Sequence, residues 1–548
     1  MKFPALLFAL LLACGAVQAQ HEHHATENKE EVSLVPGMGS LHHPVTTRSA
    51  EAQRFFDQGL RFVYAFNHDE AVRSFRRAAA LDPSLAMAHW GVAYALGPNI
   101  NLDVDPEREK AAYSAVQQAL ALIEKASPRE RDYIEALALR YTSDPHASPE
   151  TLRRMAENFS RAMGALSKKY PDDLDAATLY AESLMNLRPW RLWNRDGTPA
   201  EGTNEIVSTL ESVLKRDPNH VGAIHYYIHA VEASPDPGRA LRYAPRLARL
   251  MPAAGHIVHM PAHIYLRTGD YDAAARSNEA AAAADRAYIK ASGVQGIYPL
   301  MYYSHNLHFL AVSYSFAGRY ADALRSARQL EANVAPHLKA MPMLEGFNTT
   351  SALVLVRFRR WEEILKAPEP PAEQAATRAV WTWARGMALA AEGKADAADA
   401  ALKTFAAAEQ GLPADAQFGL NKASDILKIA DRMLAARVAV ARGERGRAAE
   451  LLKEAVATED GLAYDEPPAW FLPSREALGA VLLADGRAAE AEAVFREDLE
   501  RNPHSGRSLF GLAESLKAQG KARAAADARR QFAAAWKGAD TRLSVADL

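Results

Sequence analysis

An all-α fold of stacked helical hairpins, a right-handed α-solenoid, is what this sequence predicts, and three observations point to it. At 548 residues the chain exceeds what one ordinary hydrophobic core supports, so it grows either by adding domains or by stacking repeats. Alanine is abundant, with glycine and proline moderate at 30 and 29; this favours helix, where alanine loses no side-chain entropy. From about residue 50 a period of 34 residues runs down the chain, the mark of a helical hairpin that must stack on its neighbours to bury its apolar faces.

The first unit, begun at Ala52, places Gly59, Phe62, Ala71, Phe75, Ala78 and Pro83 at its positions 8, 11, 20, 24, 27 and 32. These are the small, aromatic and helix-ending positions of a tetratricopeptide repeat (TPR). A second unit begins near Ala86 and is interrupted by a loop at 97–105. Units begun at Val221, Gly255 and Ser304 keep the register, with Ala240 and Pro252 in the first, Ala262, Tyr265, Gly269, Tyr271 and Ala274 in the second, and Ala311, Tyr314, Gly318, Tyr320 and Ala323 in the third. Later units fit 386–405, 436–455 and 479–503, and an alanine-rich polar helix caps the stack. The expectation is a TPR-like solenoid over 49–548 of roughly nine to twelve hairpins, with 368–371 and 466–468 as rigid connectors or loops.

Ahead of the repeats, residues 1–19 read as an export signal: Lys2, an apolar run from Phe3 to Val17, then small residues at Val17 and Ala19 for cleavage. That implies a periplasmic or secreted protein. Leu12-Ala13-Cys14 offers a lipoprotein alternative, which the shortness of the resulting signal disfavours. Residues 20–48, carrying His21, His23 and His24, read as a polar, disordered leader able to bind metal loosely. Cys14 is the single cysteine, so cleavage leaves no disulfide and no thiolate ligand. A formal net charge of −3 without a basic stretch argues against nucleic acid as a partner. No later apolar run is long enough to span a bilayer.

The functional signal is histidine. Seven of the 18 fall between 225 and 308: His225, His229, His256, His259, His263, His305 and His308. In the repeat register they occupy positions 2, 5 and 9 of three successive first helices, with Glu232 at position 12. Steps of three and four residues keep side chains on one helix face, and first helices line the concave side of such a stack. The expectation is therefore a groove at 221–310 rich in imidazole, with position 5 bringing His225, His259 and His308 side by side and His229 completing a ligand set. His256, His263 and His305 rank behind them as outer ligands or the shell of a second metal. Pro261 lies inside the HxxHxxxH segment and predicts a kink there.

Neutral imidazole is the commonest metal ligand. With carboxylate and without thiolate, it suits zinc, copper(II), nickel or non-haem iron. Glu232 reads as a general base or as the group that orients an imidazole. Asn278 stands where a large apolar residue belongs, and a polar group there needs a partner. His89, Tyr302 and Asn306 complete the candidate lining, and the run from Asp465 to Pro468 reads as a loop over the groove or a helix start. Two functions follow. One is an exported repeat protein binding a transition metal ion, with a metal-dependent enzyme as its stronger form and a small molecule or peptide in the groove. The other is a metal-free TPR scaffold holding a peptide or partner protein in the same groove. Phosphate-loop, Rossmann and nucleophile-elbow motifs are missing from the sequence.

The strings HYYIHAVE, GHIVHMPAHIYLRTGDY and YYSHNLHFL, with FNHDEAVRSFRRAAALDP upstream and YDEPPAWFLPSREALGAVLL downstream, resemble a group of exported bacterial TPR proteins over nearly the whole mature chain. The resemblance implies the fold and export; it brings no established activity.

Overall fold

The computed structural model describes residues 32–144 and 146–548. The export signal, Cys14 and the His21, His23 and His24 tract lie outside the described residues. Helices pair in chain order, from Ala50–Tyr64 with His68–Leu81 to Gly506–Ala518 with Ala522–Ala535. Among the described residues the number of hairpins lies at the upper end of the expectation. Among the described residues the paired strands are the two-residue Gln417–Phe418 and Asn421–Lys422. The chain is thus an all-α helical-repeat protein.

Local chemistry starts and spaces these helices. Side chains of Ser49, Asn67, Asp173 and Asp270 accept from the first-turn backbone N–H groups of their helices, and Ser127 with Glu130 forms a reciprocal capping box. Between units the repeat residues interlock. Phe75 is fully buried, and a Cβ added to Gly59 or Gly91 would lie 2.6 or 2.4 Å from its ring. The aromatic of one second helix fills the space left by glycines of two successive first helices. Phe495 does the same between Gly479 and Gly511.

The period is interrupted near the histidines. The second helix expected after Val221–Val231 is broken into the 3-10 turns Pro237–Arg242 and Ala244–Arg246 and the single turn Leu247–Leu250, because Pro237 and Pro245 lack backbone donors. The kink expected at Pro261 separates Gly255–His259 from Pro261–Thr268: Met260 between them keeps helical angles, φ −50° and ψ −35°, and proline stands at the first position of the second helix.

The leader expected to be disordered over 20–48 is, from Val32 onward, a strap seated on the first units. Met38 and His43 are buried. Gly37 accepts from the Ala253 backbone N–H at 3.1 Å, Arg61 Nε donates to the Leu41 carbonyl at 2.8 Å, and His43 Nδ1 lies 2.8 Å from Asp175 Oδ2. Asp175 also accepts from Tyr64 Oη at 2.6 Å and meets His220 Nε2 at 3.2 Å. Polar composition suggested solvation; buried partners from distant helices supply ordering instead.

Two apolar cores form, one from Met38 to Ile264 and one from Ala262 to Leu548. They meet at the helix Pro261–Thr268. The stack also curls back on itself. Tyr64 packs against Gly222, where a Cβ would lie 2.4 Å from its ring. At the other end Tyr271 donates to the Pro503 carbonyl at 2.9 Å. Gly269 has φ +80°, and a Cβ there would come within 2.1 Å of the same carbonyl. The concave side expected to be an open groove is therefore filled around 221–310. No helix among the described residues is long and apolar enough to cross a membrane.

Candidate metal centre

At the seam between the two cores lies a polar layer of imidazoles. His225, His229, His256, His259 and His263 are all buried, and His305 is partly so. They sort into two trios whose nitrogens converge: His225, His229 and His256, and His259, His263 and His305. His256 and His259 lie on the same short helix, Gly255–His259, so the division runs through that helix: His256 joins the first trio, while His259, with His263 of the next helix, joins the second.

In the first trio, His225 Nε2 lies 3.1 Å from both His229 Nε2 and His256 Nε2. The other ring nitrogens fix the tautomers. His225 Nδ1 donates to the Tyr64 carbonyl at 2.7 Å, and His229 Nδ1 donates to Glu232 Oε1 at 2.8 Å. Carbonyl and carboxylate oxygens only accept, so each Nδ1 carries the hydrogen and each neutral ring turns an Nε2 lone pair to the centre. Among the described residues His256 Nδ1 has no hydrogen-bond partner.

The second trio repeats the arrangement. His259 Nδ1 donates to Asn278 Oδ1 at 2.6 Å. The amide is oriented by its own Nδ2 donating to the Ala274 carbonyl at 2.8 Å. His263 Nδ1 donates to Glu232 Oε2 at 2.5 Å. The two Nε2 atoms face each other at 2.7 Å, with the His305 ring 4.8 Å from that of His259, centroid to centroid. Glu232 thus spans the trios, one oxygen to each.

Burial sets the charge state. It pulls His225, His229, His256, His259 and His305 well below the ordinary imidazole value, and neighbouring imidazoles push the same way. These rings are neutral at pH 7, the form that ligates. His263 is the exception: burial opposes its charge, but Glu466 and Glu232 beside it raise it to about 10. Burial and the Glu232 charge push Glu466 up to about 8.

Glu466 is the principal residue that sequence reasoning did not assign. It sits in ion-pair contact with His263 Nδ1. The run from Asp465 to Pro468 is a loop over the site, not a helix start, since the next helix begins at Ser474. Asp465 accepts from the Leu420 N–H at 2.8 Å, and Asn421 clasps Ala463 through both its amide atoms. Phe66 and Trp190 were missed too. Phe66, with φ 54°, places its ring 4.5 Å from His225, 5.5 Å from His256 and 5.9 Å from His229. Trp190, with φ 59°, sits edge-on to His229 at 5.7 Å. No spacing rule links these aromatics to the histidines; only the curl of the stack does.

Other expectations fared unevenly. His308, ranked among the best ligands, joins neither trio: it lies beside Phe347 and Phe471, and burial alone lowers it to about 4. The helix Tyr303–Phe316 follows a π-helical turn at Tyr298–Tyr302, and it is His305 of that helix that joins the second trio. Position 5 therefore does not assemble one ligand set, because the helices present different positions to the seam. His89 is half-buried beside Gln118 and outside both trios. Tyr302 meets the His256 ring edge-on at 5.1 Å. Asn306 donates to Asp285 Oδ2 at 2.5 Å, and Asp285 also accepts from Tyr298 at 2.8 Å, so Asn306 braces the helix rather than facing the trios.

No family model and no curated protein matches this chain. Solved structures match over most of its length. The APC/C hetero-tetramer Cut9-Hcn1 shares 12% identity over 90% of this chain and 80% of that one, with a TM-score of 0.37. The human IFIT1 dimer with m7Gppp-AAAA shares 12% over 89% and 90%, at 0.32. Yeast Tom70 shares 12% over 88% and 90%, at 0.29. Superpositions this loose say nothing of the histidines, so what the chain is rests on its own geometry: a helical-repeat protein with a buried histidine centre.

Proposed function

We propose that the chain is an exported helical-repeat protein that binds a transition metal ion through His225, His229 and His256. The observation that carries this reading is the pair of inward-facing lone pairs on His225 and His229, 3.1 Å apart in a buried site with both Nδ1 hydrogens committed elsewhere. His256 can supply one hydrogen through its own Nε2, but that leaves the other pair opposed. A cation at the common point removes the conflict. Nitrogen ligands at about 2.0–2.1 Å from a tetrahedral ion stand about 3.3–3.4 Å apart, close to the observed spacing. The Tyr64 carbonyl and Glu232 then act as acceptors that orient and strengthen ligating imidazoles.

Three imidazoles suit zinc, copper(II) or non-haem iron. They leave one tetrahedral position free, as catalytic zinc sites do, which is the basis for keeping an enzymatic role in view. A peptide held in the groove against these histidines is the weaker reading, because Phe66 and the Glu466 loop cover them. The test is metal analysis of the purified, untagged chain expressed in metal-replete medium, with the His21–His24 tract deleted. About one ion or more per chain is expected; less than about 0.2 would favour the metal-free scaffold, since a site this rich in ligands binds tightly.

A further inference from the structure

We propose that His259, His263 and His305 hold a second metal ion, making the centre dinuclear, with Glu232 coupling the two halves. This rests on the reading of the first trio and adds to it a separate ligand set. The second trio has the same converging geometry: His259 and His263 bring Nε2 atoms to 2.7 Å of each other, while Asn278 and Glu232 engage both Nδ1 atoms on the far side, so a metal ion there takes the place of the single hydrogen that lies between the two Nε2 atoms. Asn278 would serve no packing purpose where the repeat wants a large apolar side chain. Fully buried and fixed through the Ala274 carbonyl, it presents its oxygen to one ring nitrogen. That is the work of an orienting acceptor.

The trios are neighbours, with ring centroids 5.5 Å apart between His229 and His263 and 5.9 Å between His256 and His259. Two cations this close repel, and buried negative charge between them is what allows both. Glu232 supplies it, accepting from His229 of one trio and His263 of the other, with Glu466 at the same His263 nitrogen. The ligand class is a borderline transition ion in each trio, bound by three imidazoles.

Cobalt(II) titration of the apo full chain, followed by the visible absorption of the bound ion, tests this. Wild type should saturate at two equivalents, and His256→Ala and His305→Ala at one each. His305 is partly buried where His256 is buried, so its truncation is the milder of the two; circular dichroism and wild-type stoichiometry cover a variant that does not fold. Saturation at one equivalent in wild type overturns the second site and leaves the first standing. A proton shared between His259 and His263 would then occupy the second trio. Two equivalents retained in His305→Ala overturns the ligand assignment. No binding in wild type refutes the reading of the first trio as well.

Discussion

His225→Ala is the sharpest perturbation of the centre, because His225 Nε2 is the nitrogen that both other members of its trio approach at 3.1 Å. If an ion is bound there, the variant removes one ligand of three. Structural zinc sites with four protein ligands are worth about 10–16 kcal/mol, or roughly 3–4 kcal/mol per ligand. At about 1.4 kcal/mol per decade, the loss is about two to three orders of magnitude in affinity. The metal-free chain should lose less stability than an ordinary core truncation of this size costs. A buried large-to-small change costs about 2–5 kcal/mol, but here the truncation also removes two close nitrogen contacts. Chelator-competition titration gives the affinity, and thermal melting with and without metal gives the stability. The expected result is a wild type strongly stabilised by metal and a variant with little metal-linked shift. Unchanged affinity in the variant would refute the lone-pair argument, and a variant that unfolds without metal while the metal-free wild type stays folded would make the trio structural.

Four further outcomes follow. Asn278→Leu, which restores the apolar residue that the repeat favours, should weaken binding at the second trio by about 10–100-fold while leaving helicity intact, read by metal titration with circular dichroism. His308→Ala should leave metal content and affinity unchanged, since that ring sits among Phe347 and Phe471; a loss would return His308 to the ligand set. Phe75→Ala should cost about 3–5 kcal/mol, read by urea melting of the N-terminal units, because the ring fills the space between Gly59 and Gly91. The strap should loosen with rising pH. Burial lowers His43, but the hydrogen bond and charge of Asp175 outweigh it and raise it net. Its contribution is complete below about 6.5 and is lost as pH rises through the folded value. Burial raises Asp175, but His220 and His43 hold it well below the ordinary carboxylate range, so its contribution persists above about 3.9 and is lost only in acid. Amide exchange over 41–47 should therefore be slower at pH 5.5 than at pH 8.5, corrected for intrinsic rates, and His43→Ala should abolish the difference.

How much of this was legible differs from residue to residue. Phe75 with its glycines could be read because a stacked hairpin repeats one local contact every unit, and local contacts leave a period in the sequence. The Pro261 kink could be read because proline acts on its own backbone. Asn278 stood out because it broke the repeat rule, and the structure supplies its partner. His305 rather than His308 could not be chosen from register alone. The π-helical turn at Tyr298–Tyr302 precedes their helix, and no periodic count anticipates it. Glu466 lies more than 200 residues from His263 in sequence, and nothing local ties the two.

What the sequence by itself determined, then, is the helical hairpin, its stacking and the concentration of imidazole on three successive first helices, because these follow from propensity, capping and short-range periodicity. Only the tertiary structure decided that the groove is closed, that the histidines divide into two trios across a seam between cores, and that Glu232 and Glu466 meet at one imidazole. The physical reason is that small turns and breaks in each unit accumulate along a solenoid. Their sum sets where its concave wall meets its own ends.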